Sequence, residues 1–556
     1  MTSASDRDSR LWRKLLFDDA PWLPLTLLAA AIVAASAWLL AAGPRIVSRQ
    51  MTWDMLFNVA GAWSIHNGHV PHVDFHDPLG SLSFRFTAIG FWFTGPSVWA
   101  FIAGEIVATA GLFVVALIAA GRRLPVVPAA VFIAYVCLLV LMPINVGEPV
   151  GDFTFAMDYN AMGWSGLGVL SFILFVPPRA RSEEGRLRDG PDFAVVAVLL
   201  LALYHLKITY FGAALGELCI AALVSEHLRR RQALWAALAV AALLYSMAPW
   251  NWAYLSDVFA ALDTGAASTD VRGFLKLVLT NVPELSLMCI GAIVALALWR
   301  AGEVSLRVPV AVGLFIAAAV AVLSQNTQLR GLPLSVAIAF LLYDHLRGNR
   351  LQGRPRAAVW VMVALLVFPV AGVGKQLASL SVYYWQSVRS PMLHVVQHPP
   401  TLKGLAVPRD EPGLLDAVAR GGIDRGLLSR IRTLDIDNEE LSQNEYTETL
   451  AEAVALFEGH PERATGGIVV FDQVNPMPFI LKRPPPRGVT LWLDKFFPWQ
   501  PADSMLGDAR YVLIPKFSTY RAVTLMAMER YGAYLAEHFP QRTETRSWVL
   551  RERAPR

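Results

Sequence analysis

Cysteine is scarce in this chain, and charge is thin. Only three cysteines occur in 556 residues, Cys137, Cys219 and Cys289, each inside an apolar run. That placement excludes a disulfide framework and any zinc-ligand spacing. Charged residues make up 17% of the sequence against 55% hydrophobic, and the mean hydropathy is +0.44. So little polar surface cannot cover a water-soluble fold of this length, and the composition predicts an α-helical polytopic membrane protein. The net charge is only +4, with arginines in short clusters between apolar runs. This is the pattern of membrane-flanking loops and not of a nucleic-acid groove. No small-residue cleavage site follows the first apolar run, which is therefore read as a retained helix.

The basic clusters orient the chain. Arg7, Arg10, Arg13 and Lys14 precede a first crossing at Trp22–Gly43 and hold the N-terminus on the cytoplasmic side. The region Leu79–Gly121 is too long for one crossing and breaks at Thr94-Gly95-Pro96. With Arg122 and Arg123 inside, Ser97–Gly121 crosses inward, and Leu79–Phe93 is an interfacial or re-entrant helix. Further crossings are expected at Leu124–Pro143, Met162–Pro178, Phe193–Tyr210, Phe211–Glu226, Leu234–Trp250, Val282–Trp299, Val308–Leu323, Gly331–Leu342 and Ala357–Val373. The total is about eleven. Residues 144–160 and 251–281 are outer loops on this reading, and Trp22 and Trp250 are interface anchors.

Residues 1–375 thus form a transmembrane domain, and 376–556 have the composition of a soluble outer α/β domain. Gly467–Asp472, Val489–Asp494, Arg510–Pro515 and Thr545–Arg551 read as strands, and Ser518–His538 as a helix. Arg483-Pro484-Pro485-Pro486-Arg487 reads as a surface loop.

Chemistry gathers in the first outer loop, residues 44–96. Met51 to Phe86 carries Asp54, Asp74 and Asp77 together with His66, His69, His72 and His76. The histidine spacing is irregular for a zinc site, so sugar or water contacts fit it better. A second acidic stretch holds Glu148, Asp152 and Asp158 without lysine or arginine. Lys207, Arg330 and Arg85 stand at outer helix ends or in the re-entrant helix, where a cation is costly unless it meets water or an anion. Bland alternatives stand beside these readings: Asp54 as N-cap of an amphipathic helix Met55–His66, Asp152 and Asp158 as a solvated loop, Lys207 snorkelling, and Arg330 in a solvated turn.

Trp53-Asp54, the run Gly68 to Phe75, Asp77-Pro78-Leu79 and Gly121-Arg122-Arg123 together resemble the GT-C superfamily, integral membrane glycosyltransferases that use polyprenyl-phosphate sugars. The motifs cover about the first third of the chain, and Asp54 stands alone between Trp53 and Met55 where the family often has an acidic pair. The resemblance implies Asp54 as general base for direct, inverting attack by an acceptor hydroxyl. Asp74, Asp77, Asp152, Asp158 and His72 would then support the acceptor, and Lys207, Arg330 and Arg85 the donor phosphate. The implied partners are a polyprenyl-phosphate-linked sugar, a lipid-linked or cell-envelope glycan and membrane lipid, with no nucleic acid. The carboxylates could also hold a divalent cation. The implied location is a bacterial inner membrane with the C-terminal domain periplasmic. A flippase of lipid-linked saccharide, or a non-catalytic scaffold of the same fold, is the alternative; the absence of an internal repeat and the one-sided gathering of ionisable residues favour the enzyme.

Overall fold

The computed structural model describes residues 22–144, 148–178, 190–224, 230–264, 271–324, 332–348, 355–409, 441–494 and 497–554. Helix α1 (Trp22–Ala41) buries Leu25, Ala29, Val33, Ser36 and Leu40, a stripe repeating every three or four residues. Leu23, Leu27, Leu28 and Trp38 on its other sides are exposed. A helix that hides one stripe and exposes leucines around the rest is built to face hydrocarbon. The following helices are α2 (Thr52–His66), α3 (Leu82–Thr94), α4 (Trp99–Gly121), α5 (Val126–Leu141), α6 (Phe155–Phe175), α7 (Gly190–Leu206) and α8 (Ile208–Val224). Then come α9 (Arg230–Ser246), α10 (Ala248–Asp263), α11 (Val271–Thr280), α12 (Val282–Arg300), α13 (Arg307–Leu323), α14 (Pro333–Gly348) and α15 (Pro355–Arg389).

Three of the described helices, α1, α4 and α12, are long and apolar enough to cross a membrane, and the α9–α10 pair, bent by 93°, makes a fourth if it is one broken span. Apolar stretches of α5, α7, α8, α13 and α14 are shorter. At 1.5 Å per residue, sixteen residues reach about 24 Å against a hydrocarbon core of about 30 Å. Embedding in a membrane thus follows from the helices, while the expected eleven crossings go further than their lengths do.

Several boundaries differ from expectation. The stretch 144–160 is not all loop: α6 begins at Phe155, so Asp158 lies in its first turn. The expected outer loop 251–281 contains α10 and α11. The α7–α8 connection is a single residue, Lys207, where a turn through Gly212 was expected. The last helix does not stop near residue 375 but continues to Arg389. The break at Gly95-Pro96 is present, and α3, at 13 residues, is too short to cross. It folds tightly on α4: a Cβ on Gly90 would lie 2.1 Å from the Ala100 carbonyl oxygen.

The C-terminal region is α/β, with α16 (Gln443–Glu458), the short helices α17 (Met477–Ile480) and α18 (Ala502–Leu506), and α19 (Arg521–His538). Its main sheet runs β5 (Gly467–Val470), β7 (Ala509–Pro515), β9 (Trp548–Glu552), β8 (Gln541–Glu544), with only β5 and β7 parallel. All four expected strand segments and the helix are found, β6 (Val489–Thr490) being the shortest. The first loop joins this region directly. β1 (Ile46–Val47) pairs with β4 (Leu405–Pro408), which β3 (Leu393–Val395) also flanks, and β2 (Phe75–His76) pairs with β6.

This arrangement changes the character of α2. Twelve of its fifteen residues are buried, so it is not an amphipathic surface helix. Gln443 Oε1 accepts from Thr52 N at 2.8 Å, Trp63 Nε1 donates to Arg483 O at 2.8 Å, and Trp53 and Phe57 pack on Tyr446 and Trp492. The proline-rich loop is therefore a clamp on α2. Trp22 and Trp250 are 47% and 43% exposed.

Candidate functional site

Asp54 is the third residue of α2, half-buried, and its carboxylate does not cap its own helix. Oδ2 accepts from Phe155 N at 2.8 Å and from Ala156 N at 3.5 Å, the first amides of α6. Thr154 Oγ1 takes the Met157 amide of the same turn. The expected capping role thus belongs to Asp54, but for a different helix. Unpaired amides and the helix dipole favour the ionised acid, whereas burial opposes it. Burial wins and lifts the Asp54 pKa to about 6. No described donor reaches Oδ1.

Asp158 lies just behind, 1% exposed, accepting at Oδ2 from Asn58 Nδ2, one turn beyond Asp54 on α2. Its side chain also meets Glu105 of α4 and Ser83 of α3. Tyr159, next on α6, lies in the field of Asp54, Asp77 and Asp158, and Lys207 Nζ sits 5.3 Å from its ring centroid. Lys207 is held there by chain geometry. Gly80 N donates to Leu206 O at 2.9 Å, and a Cβ on Gly80 would come within 2.0 Å of the His205 carbonyl oxygen. Only glycine allows this loop so close to the α7–α8 break.

The other wall is built on Asp257 of α10. Its carboxylate accepts from His72 Nδ1 and His76 Nδ1, both at 3.0 Å, and from Asp77 N at 3.3 Å. Those bonds place the proton of each imidazole on Nδ1 and leave each Nε2 outside the pair. His72 adopts a left-handed φ of 67° and packs on Tyr254. For a residue with a Cβ, that backbone costs about 1–2 kcal/mol. Asp77 is 1% exposed; Oδ1 accepts from Leu79 N at 2.7 Å, and Oδ2 is buried without a described partner. Burial, reinforced by Asp257, lifts its pKa to about 8. At neutral pH Asp77 is therefore mostly protonated and able to donate a hydrogen bond. Arg85 is held by Ser81 Oγ at 3.1 Å and shares an electrostatic neighbourhood with His205 and His72.

Of the expected site residues, Asp54, Asp158, Asp77, His72, Lys207 and Arg85 are brought together. Two are not. Asp74 binds Val70 N at 2.8 Å and pairs with Arg487 at 3.6 Å, which pins the loop to the C-terminal region. Asp152 pairs with Arg49 at 3.8 Å beside β1. Arg330 lies outside the described residues. Sequence reasoning missed Asn58, Glu105, Tyr159 and Asp257. Glu105 had a readable signal, a lone acid within an apolar helix. Asp257 had none, because its segment was taken for a loop.

Among the described residues no three of His, Cys, Asp and Glu converge as metal ligands. Two surface cavities, of about 600 Å³ beside Arg510 and Arg553 and about 490 Å³ beside Arg45 and Lys403, include none of the clustered groups. The chemistry of the cluster, and not cavity size, marks the site. Comparison of the chain with protein-family models, curated proteins and solved structures finds no match.

Proposed function

We propose that this protein is an inner-membrane glycosyltransferase of GT-C type, moving a sugar from a polyprenyl-phosphate donor to a cell-envelope acceptor on the periplasmic side with inversion. The observation that carries the reading is the Asp54 carboxylate: anchored through Oδ2 on the α6 amides, free of described donors at Oδ1, and tuned by burial to about 6. A carboxylate of that pKa is ionised in a ratio of roughly ten to one at pH 7 and is still a competent base.

In the step we assign, Asp54 Oδ1 takes the proton of the acceptor hydroxyl as its oxygen attacks the anomeric carbon. The bond from that carbon to the donor phosphate oxygen breaks, and the lipid phosphate leaves with the electron pair. Lys207 and Arg85, with Arg330 as a third candidate, offset the developing phosphate charge. Asp77, protonated, donates to a sugar or acceptor oxygen. The C-terminal region holds α2 in place and offers surface for the acceptor.

A second reading, transport of a lipid-linked saccharide, draws on the 93° bend between α9 and α10, since broken helices are a transporter device. One experiment separates the two. Purified protein in lipid is given a panel of radiolabelled polyprenyl-phosphate sugars, alongside Asp54→Asn. Transfer or slow donor hydrolysis by wild type and not by the variant supports the enzyme. Equal donor binding by both proteins, with neither acting on any donor, supports transport.

A further inference from the structure

The cavity of about 490 Å³ beside Arg45 and Lys403 shares no residue with the acidic cluster, and it opens where α1 and α4 end on one side of the molecule. A Cβ on Gly121, the last residue of α4, would lie 3.2 Å from the Trp22 ring at the start of α1. At the opposite ends of both helices, a Cβ on Gly404 would lie 3.0 Å from Trp99 Nε1 and 3.5 Å from Pro44 O. The two helices are therefore antiparallel neighbours, and each is long and apolar enough to cross a membrane. The 20 residues of α1 rise about 30 Å, the thickness of the hydrocarbon core. With Trp22 at one membrane surface, Pro44, Arg45 and Trp99 stand at the other. Trp92 and Phe93, which precede Ser97 across the Gly95-Pro96 break, are 75% and 72% exposed. Such rings are costly in water and favoured at the membrane boundary.

Three segments wall the cavity: residues 44–45 after α1, 97–99 before α4, and 395–404 around β3 and β4. Backbone bonds fix them to one another, Ile46 N donating to Gly404 O at 2.8 Å and Val98 N to Thr401 O at 2.9 Å. Arg45 and Lys403 line the cavity; among the described residues no aspartate or glutamate lines it, and no carboxylate pairs with either cation. Ser97 and Gln397 add neutral hydrogen-bonding groups, and Trp99 adds an indole. A guanidinium fork and an ammonium together suit the oxygens of a phosphate. We infer that this cavity holds the headgroup phosphate of an anionic phospholipid, with its acyl chains beside α1 and α4. A dissolved phosphate offers the same oxygens, but the cavity lies at the bilayer surface, where anionic lipid is concentrated and basic pockets attract it. The bound headgroup ties Lys403 of the C-terminal region to Arg45 at the end of α1. The inference rests on membrane embedding alone and is independent of glycosyl transfer.

The test gives phosphatidylglycerol or phosphatidylcholine to delipidated full-length protein in detergent and counts the bound molecules by native mass spectrometry. Wild type is expected to retain one phosphatidylglycerol where phosphatidylcholine has dissociated, and to melt at a higher temperature with it. Arg45→Gln and Lys403→Gln should each weaken that binding about fivefold, the scale of one Lys or Arg at an anionic membrane surface. The double Gln variant should lose the preference. The charge-keeping pair, Arg45→Lys with Lys403→Arg, should keep it, which separates loss of the site from loss of the fold. Three outcomes overturn the proposal: equal phosphatidylglycerol retention by wild type and the double Gln variant, no preference of wild type for phosphatidylglycerol, or loss of the preference in the charge-keeping pair. Inorganic phosphate supplies the last arm. Displacement of the lipid by millimolar phosphate, with the same rise in Tm and its loss in the double Gln variant, would make the occupant a soluble phosphate and overturn the lipid assignment.

Discussion

At the residue scale, two carboxyl groups in one loop are driven to different roles by their surroundings. Asp54 keeps one face open and two amides on the other, so it ionises near pH 6; Asp77 is enclosed and stays protonated to about pH 8. Only ionised Asp54 accepts a proton, so transfer should fall as pH drops below about 6, and it should fall again above about 8, where Asp77 loses the proton it donates. Asp54→Asn should reduce kcat about 10²–10⁴-fold, the range for loss of a general base, with donor affinity retained. Radiolabel transfer across pH checks both; a variant with normal turnover removes Asp54 from the role. For Asp77 the sign concerns stability. Its folded pKa lies above the unfolded value of 3.8, so its contribution is complete below about pH 4 and is lost as pH rises through about 8. Asp77→Asn mimics the neutral acid, and its Tm relative to wild type should climb between pH 5 and pH 9, by an amount reflecting about 4 kcal/mol. A Tm difference that stays flat with pH refutes the assignment.

At the scale of elements, the site depends on a few close approaches. The loop after Asp77 touches the α7–α8 break at Gly80, and that contact places Lys207 over Tyr159. Gly80→Ala drives a methyl group into the His205 carbonyl and should cost about 1–3 kcal/mol. It should also weaken donor binding more than Gly111→Ala, a helical glycine with open space around its Cβ. Equal donor binding in the two variants would show that the Gly80 contact does not position Lys207. Much of this level was legible. The GP break between α3 and α4, the strands β5, β7 and β9 and helix α19 all follow from periodicity and turn residues. The α9–α10 bend was not, because an apolar sequence rich in tryptophan reads the same whether it lies along a membrane face or loops above it.

At the scale of the whole molecule, the first loop and the C-terminal region are one folded unit. Helix α2 is covered by Gln443, Tyr446, Arg483 and Trp492 from the far end of the chain. A chain truncated after Arg389 therefore exposes Trp53, Phe57 and Trp63, each worth about 1.5–3 kcal/mol of burial. The truncated protein should aggregate or show fast protease cleavage within residues 44–80, read by size exclusion and limited proteolysis. A monodisperse product with wild-type protection of that segment would show that the membrane helices alone hold α2.

The sequence by itself determined that the protein is helical and membrane-embedded, that its C-terminal part is α/β, and that Asp54 and its loop carry the ionisable groups. Those properties follow from composition and local periodicity, which act over a few residues. The partners of each acid were decided only by the tertiary structure. Asp54 caps a helix a hundred residues away, Asp257 joins His72 and His76 from a distant helix, and Asp74 and Asp152 are drawn off into structural pairs. Whether a carboxyl group ionises depends on burial and neighbours, and both are set by which helices pack together.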